Sequence, residues 1–110
     1  MSIEGIIEHM KVTTLTVRSE VWLYPGMAGN WHFASLSRKQ SKEIDDRFGK
    51  NKKGWGSLPV SVTLGETTWK TSIFPDKREQ AYILPLKAEV RKKEEVYKGD
   101  KIEFAVDILP

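Results

Sequence analysis

Between Phe48 and Pro59 the chain reads GKNKKGWGSL, so that Arg47, Lys50, Lys52 and Lys53 crowd around glycines and Trp55. Cations on a glycine-rich tether beside an indole suit two tasks, neutralising phosphates and stacking a base. The glycine spacing is that of a triphosphate-binding loop. That loop, however, needs lysine and serine or threonine where this chain has Trp55 and Gly56, and it opens a helix, whereas this segment follows one. Nucleotide-triphosphate chemistry of that kind is excluded. What remains is either a polyanion grip or a solvated loop whose charges serve solubility.

A second group lies in KTSIFPDK, with Lys70, Ser72, Asp76 and Lys77. A lysine near an aspartate acts as a base, an anion clamp or a plain ion pair. Lys87 and Arg91, four apart, join the same rim if the helix that carries them caps the barrel there; otherwise they are an ordinary exposed helical face. Metal and nucleophilic chemistry find little support. The histidines are His9 and His32, cysteine is absent, and Asp45 and Asp46 adjoin on a helix and point in different directions. No metal or cofactor is expected, and no catalytic constellation is visible.

The elements that must position these groups follow from period and punctuation. From Val12 to Tyr24 the residues are β-branched and aromatic, with Leu15, Val17, Val21 and Leu23 sharing one parity, which predicts a strand. YPGMAGN breaks it. NWHFASL resumes alternation, Trp31 and Phe33 on one face, His32 and Ala34 on the other. In SRKQSKEIDDRFG the period changes to helical: Ser37 and Gln40 form a capping-box pattern, Ile44 and Phe48 share a face, and Gly49 is placed to end the helix in a left-handed conformation.

The next hairpin has one sensible register. With Gly65 and Glu66 central in a type II′ turn, Leu64 faces Thr67, Val62 faces Trp69, Val60 faces Thr71 and Leu58 faces Ile73, all on an apolar face. A one-residue slip destroys the separation of faces, so Trp69 and Ile73 are expected in the core. FPDKREQ reads as a turn, AYILPL as a short strand and KAEVRKKEEV as a helix with Val90 and Leu86 facing inward. KIEFAVDIL closes the fold with Ile102, Phe104, Val106 and Ile108 on one parity. Strands dominate and helices cap. The fold class is mainly β, a small closed or half-closed antiparallel barrel of about six strands with two short α-helices.

The blocks RFGKNKKGWGS, TTWKTSIFPDK, LPLKAEVRK and the Gly99-Asp100 step before the last strand together resemble the domain-of-unknown-function family nineteen-oh-five. That resemblance spans most of the chain from Val12 onward. It implies a double-split β-barrel capped by helices, an architecture shared with the AbrB/MazE type of DNA-binding regulator. Relatives often sit beside a YdeI/OmpD-associated, bacteriocin-protection domain. The family carries no established activity.

The 110 residues are expected to form one domain, 12–110, preceded by a tail, 1–11, of doubtful order and in part vector-like at His9-Met10. Net charge is −1 over residues 1–37, +4 over 38–60 and 0 over 61–110. Neither a secretory leader nor a membrane span is expected, and the cysteine-free chain is read as cytoplasmic, a monomer or weak homodimer. The expected function is a non-catalytic binding module for an anion, either nucleic acid or a small phosphate or carboxylate. Its candidate residues are Arg47, Lys50, Lys52, Lys53, Trp55, Lys70, Asp76, Lys77, Lys87 and Arg91. The alternative is a protein-interaction or self-association module.

Overall fold

A computed structural model describes residues 14–26 and 31–109, apart from the side chains of Asn51 and Trp55. The tail up to residue 11 therefore lies outside the described residues. Strands β1 (Thr14–Leu23), β2 (His32–Ser35), β3 (Leu58–Leu64), β4 (Thr67–Asp76), β5 (Ala81–Pro85) and β6 (Lys101–Ile108) are joined by helices α1 (Arg38–Phe48) and α2 (Ala88–Glu94). They close an antiparallel barrel in the order β1-β2-β5-β4-β3-β6. Among the described residues no helix is long and apolar enough to cross a membrane.

Alternation fills the barrel. Val17, Val21, Ala34, Val60, Val62, Ile73, Leu84, Phe104 and Val106 are buried in one cluster, completed by Ile44 from α1 and Val90 from α2. The β3–β4 register is the one the pattern demands, with Leu64 opposite Thr67, Val62 opposite Trp69 and Leu58 opposite Ile73. Gly65 has φ +59° while Glu66 has no positive φ, as a type II′ turn requires. Trp69 is 8% exposed and belongs to the core.

Each ten-residue strand serves two partners, which makes the barrel double-split. Strand β1 gives Thr14–Glu20 to β6 and Val21–Leu23 to β2, and β4 gives Thr67–Ile73 to β3 and Phe74–Asp76 to β5. The two halves, β1-β2-α1-β3 and β4-β5-α2-β6, follow one plan. Trp22 opposite Phe33 corresponds to Phe74 opposite Ile83, Leu23 opposite His32 to Pro75 opposite Tyr82, and Val17 opposite Phe104 to Trp69 opposite Val62. The registers thus obey a pseudo-two-fold. It matches His32 with Tyr82 and Ser35 with Pro85.

Helix α1 begins with the expected box: the Gln40 amide donates to Ser37 Oγ (3.0 Å) and the Ser37 amide donates to Gln40 Oε1 (3.2 Å). Its end differs from expectation. Gly49 is right-handed, φ −55° and ψ −28°, because the chain tightens directly into a 3₁₀ turn, Gly49–Asn51, before a second at Gly54–Gly56. The expected turn at FPDKREQ also shrinks, since Phe74–Asp76 stays in β4. Pro75 is tolerated because its missing N–H faces the side of β4 where β3, which ends opposite Ile73, no longer runs.

Helix α2 is clasped to the far hairpin. Thr67 Oγ1 donates to Glu94 Oε2 (2.6 Å), and a Cβ on Gly65 would come within 1.9 Å of Glu94 Oε1.

Two substitutions test this packing. Trp69→Ala is expected to cost about 3 to 5 kcal/mol in denaturant unfolding. Gly65→Ala is expected to cost about 1 to 2 kcal/mol through left-handed strain. It should cost measurably less once Glu94→Ala has removed the clashing carboxylate, a coupling that a double-mutant cycle reads directly.

Candidate anion-binding cleft

The barrel separates the candidate residues into two groups. Lys70 and Lys77 are seven residues apart along β4 and its turn, about 24 Å for extended chain. In the group at the α1 end, Lys52 and Asp76 are engaged in contacts of their own. Lys52 Nζ lies 2.9 Å from Asp45 Oδ1 and 5.8 Å from the centroid of the Tyr82 ring. Asp76 Oδ2 accepts from the Glu79 amide (3.2 Å) and so fixes the Lys77–Gln80 turn, in which Gln80 takes φ +54°. Arg47, Lys50, Lys53 and Lys77 are exposed. The side chain of Trp55 lies outside the described residues. A depression of about 320 Å³ joins Asp45, Asp76, Lys77 and Tyr82, and its lining mixes both signs of charge.

Tyr82 organises that end. Its hydroxyl donates to Asp45 Oδ1 (2.6 Å), and its amide donates to Ser41 Oγ (2.9 Å) on the same helix. Burial first, and the bond to Asp45 second, push the phenol up to about 12. Burial also acts to raise the Asp45 carboxyl, but the Tyr82 hydroxyl and the Lys52 ammonium outweigh it and hold the group below the usual carboxylate range. Hydrogen bonding to Asp45, then to Tyr82, raises the Lys52 ammonium in turn. This triad ties Lys52 of the basic loop to α1.

Lys70, Lys87 and Arg91 meet at the other group. They line a cleft of about 310 Å³ with Trp31, His32, Trp69, Thr71, Leu86 and Ala88, and no carboxylate is among the lining residues. The cleft is the β4–β5 split itself, roofed by α2. Lys70 comes from β4, Lys87 from the residue that precedes α2, and Arg91 from the helix. Arg91 Nε donates to the Leu86 carbonyl (2.9 Å), which holds the guanidinium by one edge and leaves its terminal nitrogens without an ion pair among the described residues. Lys87 Nζ is 3.6 Å from Glu89 Oε2, a loose exposed pair. Three cations from three elements therefore surround a space in which they have little to neutralise them.

Sequence reasoning placed Lys77 on this rim, and the structure puts it at the opposite end of β4. It also missed Trp31. That indole is 51% exposed and stacks on Phe33, with centroids 6.4 Å apart and planes at 17°. Its one signal was a large aromatic at the mouth of a four-residue strand. Tyr97, 67% exposed, borders an adjoining depression of about 610 Å³ that shares His32, Ala88 and Arg91 with the cleft and adds Lys92, Glu95 and Lys98. Trp31 and Tyr97 are the large exposed apolar residues among those described, and Arg91 lines both of the depressions that they border.

Comparison with known families matches residues 18–106 to the family described as Domain of unknown function (DUF1905). The chain belongs to that family. No curated protein matches it. Membership of the DUF1905 family agrees with the double-split barrel and its two helices, and the matched span reaches from β1 into β6, so it contains both ends of the barrel.

The Tyr82 triad gives two opposite pH dependences. Tyr82 keeps its proton in the fold to about 12 against about 10 when unfolded, so its contribution is complete below the unfolded value and is lost as pH rises toward the folded one. Asp45, depressed in the fold, contributes above its unfolded pKa, about 3.9, and loses that contribution as pH falls below it. Urea midpoints followed across pH should show both trends. Tyr82→Phe should abolish the alkaline trend and Asp45→Asn should flatten the acid one.

Proposed function

We propose that this domain is a non-catalytic binding module that takes an anionic group in the cleft at the β4–β5 split. The supporting observation is the convergence of Lys70, Lys87 and Arg91 on a concave space whose lining has no carboxylate. The cleft volume falls at the lower end of the range for small-ligand sites, which begins at about 300 Å³. Arg91, fixed by the Leu86 carbonyl, offers a planar donor edge suited to a carboxylate or phosphate, while the two lysines supply charge without demanding geometry. Trp31 adds an apolar wall.

The basic loop is the weaker candidate for the same task. With Lys52 turned onto Asp45, it presents Arg47, Lys50 and Lys53 to solvent without a concave setting among the described residues. His32 lines the cleft, and its backbone carbonyl accepts from the Leu86 amide (2.9 Å), which ties β2 to the start of the α2 segment.

Amide resonances followed during titration with sodium phosphate, and separately with glutarate, test the proposal. Perturbations should centre on Lys70, Lys87, Arg91 and the Trp31 indole. A charge-assisted contact is worth about 1.5 to 3 kcal/mol, so Arg91→Glu should weaken binding by at least about tenfold. Lys52→Glu with Lys53→Glu should leave it unchanged. The opposite ranking would move the site to the loop, and there a labelled single-stranded oligonucleotide should lose affinity with salt at a log-log slope of about −0.7 per phosphate contact.

A further inference from the structure

Trp31 is the exposed member of a set of four rings. Ring centroids of Trp22 and Phe33 are 5.3 Å apart, those of Tyr24 and Phe33 5.6 Å and those of Trp22 and Tyr24 5.7 Å, while Phe33 stacks on Trp31 with planes at 17°. The set is held in place by its neighbours. Trp22 Nε1 donates to Ser35 Oγ (2.9 Å), the Arg78 guanidinium lies 5.1 Å from the centroid of the Tyr24 ring, and Phe33 is buried. The Trp31 carbonyl accepts from the Tyr24 amide (3.0 Å), which fixes its backbone as well. Of the four, only Trp31 lines the cleft, so the indole meets Phe33 on one side and the cleft on another. A half-exposed indole fixed in this way is a ready surface for a second planar ring, which can stack on it with little left to order.

The charge in the same cleft has a definite size. Lys70, Lys87 and Arg91 carry three positive charges, and the one negative charge of Glu89, 3.6 Å from Lys87, leaves two. Lys70 and Arg91 have no ion pair among the described residues. A carboxylate or a phosphodiester brings one negative charge and leaves the group under-neutralised. A phosphate monoester brings about 1.5 to 2 at neutral pH, with three strong acceptor oxygens to share among the cations. Because Arg91 Nε is occupied by the Leu86 carbonyl, the terminal nitrogens of the guanidinium remain as a planar pair of donors suited to two oxygens of one phosphate. Inorganic phosphate would satisfy the charge and leave Trp31 with nothing to meet.

We propose that the cleft binds a phosphate monoester that carries a planar ring, with the phosphate among Lys70, Lys87 and Arg91 and the ring against Trp31. The proposal rests on the anionic-cleft reading and names its ligand class. Two sources share this chemistry, a mononucleotide and an aryl phosphate of the phosphotyrosine kind. The adjoining depression fits the same ligand less well. It shares Arg91 and is bordered by Tyr97, but Glu95 lines it, and Tyr97 has no ring contact among the described residues to hold it as Phe33 holds Trp31.

The test compares dissociation constants, at low salt and neutral pH, for sodium phosphate, phenyl phosphate, adenosine 5′-monophosphate, adenosine, benzoate and a dinucleoside monophosphate. At least one of the two ring phosphates should bind about fivefold or more tighter than inorganic phosphate, the low end of what a stacked base contributes. The tighter of the two identifies the source. Adenosine and benzoate should bind at least about tenfold more weakly than that ring phosphate. The indole N–H resonance that disappears in Trp31→Phe should move further with the ring phosphate than with sodium phosphate. Trp31→Ala should bring the ring phosphate down to the affinity of inorganic phosphate, Trp31→Phe should restore most of the difference, and Arg91→Gln should weaken every phosphate. Equal affinity for phosphate, phenyl phosphate and the mononucleotide, with Arg91→Gln still weakening them, would overturn the ring and leave the anion site standing, as would a gain that survives Trp31→Ala. Benzoate or the dinucleoside monophosphate, each with one negative charge, binding as tightly as the ring phosphate would overturn the choice of a monoester. Silence from every anion would overturn both the ligand class and the anionic-cleft reading.

Discussion

Each long strand of the barrel changes partner part-way along, and that change sets the course of everything nearby. Strand β5 parts from β4 beyond Phe74 and Ile83, as β2 parts from β1 beyond Val21 and Ala34, and it carries Leu86, Lys87 and α2 across the barrel end instead of along its wall. The departure leaves a wedge between β4 and the β2–β5 pair. Helix α2 then buries Leu86 and Val90 over the wedge and anchors its far end by Glu94 at the β3–β4 turn. The cleft and its three cations lie where the two strands part.

What could be read from residues alone was what depends on local period. The β3–β4 register followed from two alternating faces and a glycine able to take φ +59°, and the Ser37–Gln40 box followed from side chains that reach only their own helix turn. Gly49 was misjudged because a helix-ending glycine turns left-handed only if the chain then leaves the helix axis, and here it winds tighter. Pro75 looked like a turn residue because its tolerance within a strand depends on where a different strand stops. The meeting of Lys70, Lys87 and Arg91 was legible as far as a capping helix could be guessed. Lys77 was not separable from them, since only closure of the barrel decides which end of β4 faces α2. No local pattern announced that Lys52 folds back onto Asp45 or that Trp31 flanks the cleft, because each contact joins elements whose relative placement is tertiary.

The pseudo-two-fold turns these particulars into a comparison within one molecule. Equivalent strand positions carry Tyr82 and His32, and equivalent helix positions carry Ser41 and Arg91. In the first setting the tyrosine is locked by hydrogen bonds to α1: its amide meets Ser41, its hydroxyl meets Asp45, and Lys52 covers the ring. In the second, the residue equivalent to Ser41 is a long cation that bonds a carbonyl of its own segment and projects the rest of its charge toward the cleft. One architectural position thus serves adhesion in one half and charge presentation in the other. Registers preserved to the residue show that the backbone tolerates this divergence, because the ladders and inward side chains that define the barrel are untouched by it.

Like charges gathered in one place repel, and a fold ordinarily intersperses them with charges of the other sign. The cleft lined by Lys70, Lys87 and Arg91 has no carboxylate among its lining residues, while Glu94 of the same helix is turned away to hold Thr67. Trp69 belongs to both settings: it lines the cleft and is part of the core, so the wall of the cleft is continuous with the packing of the barrel and is as firmly held as the hairpin itself.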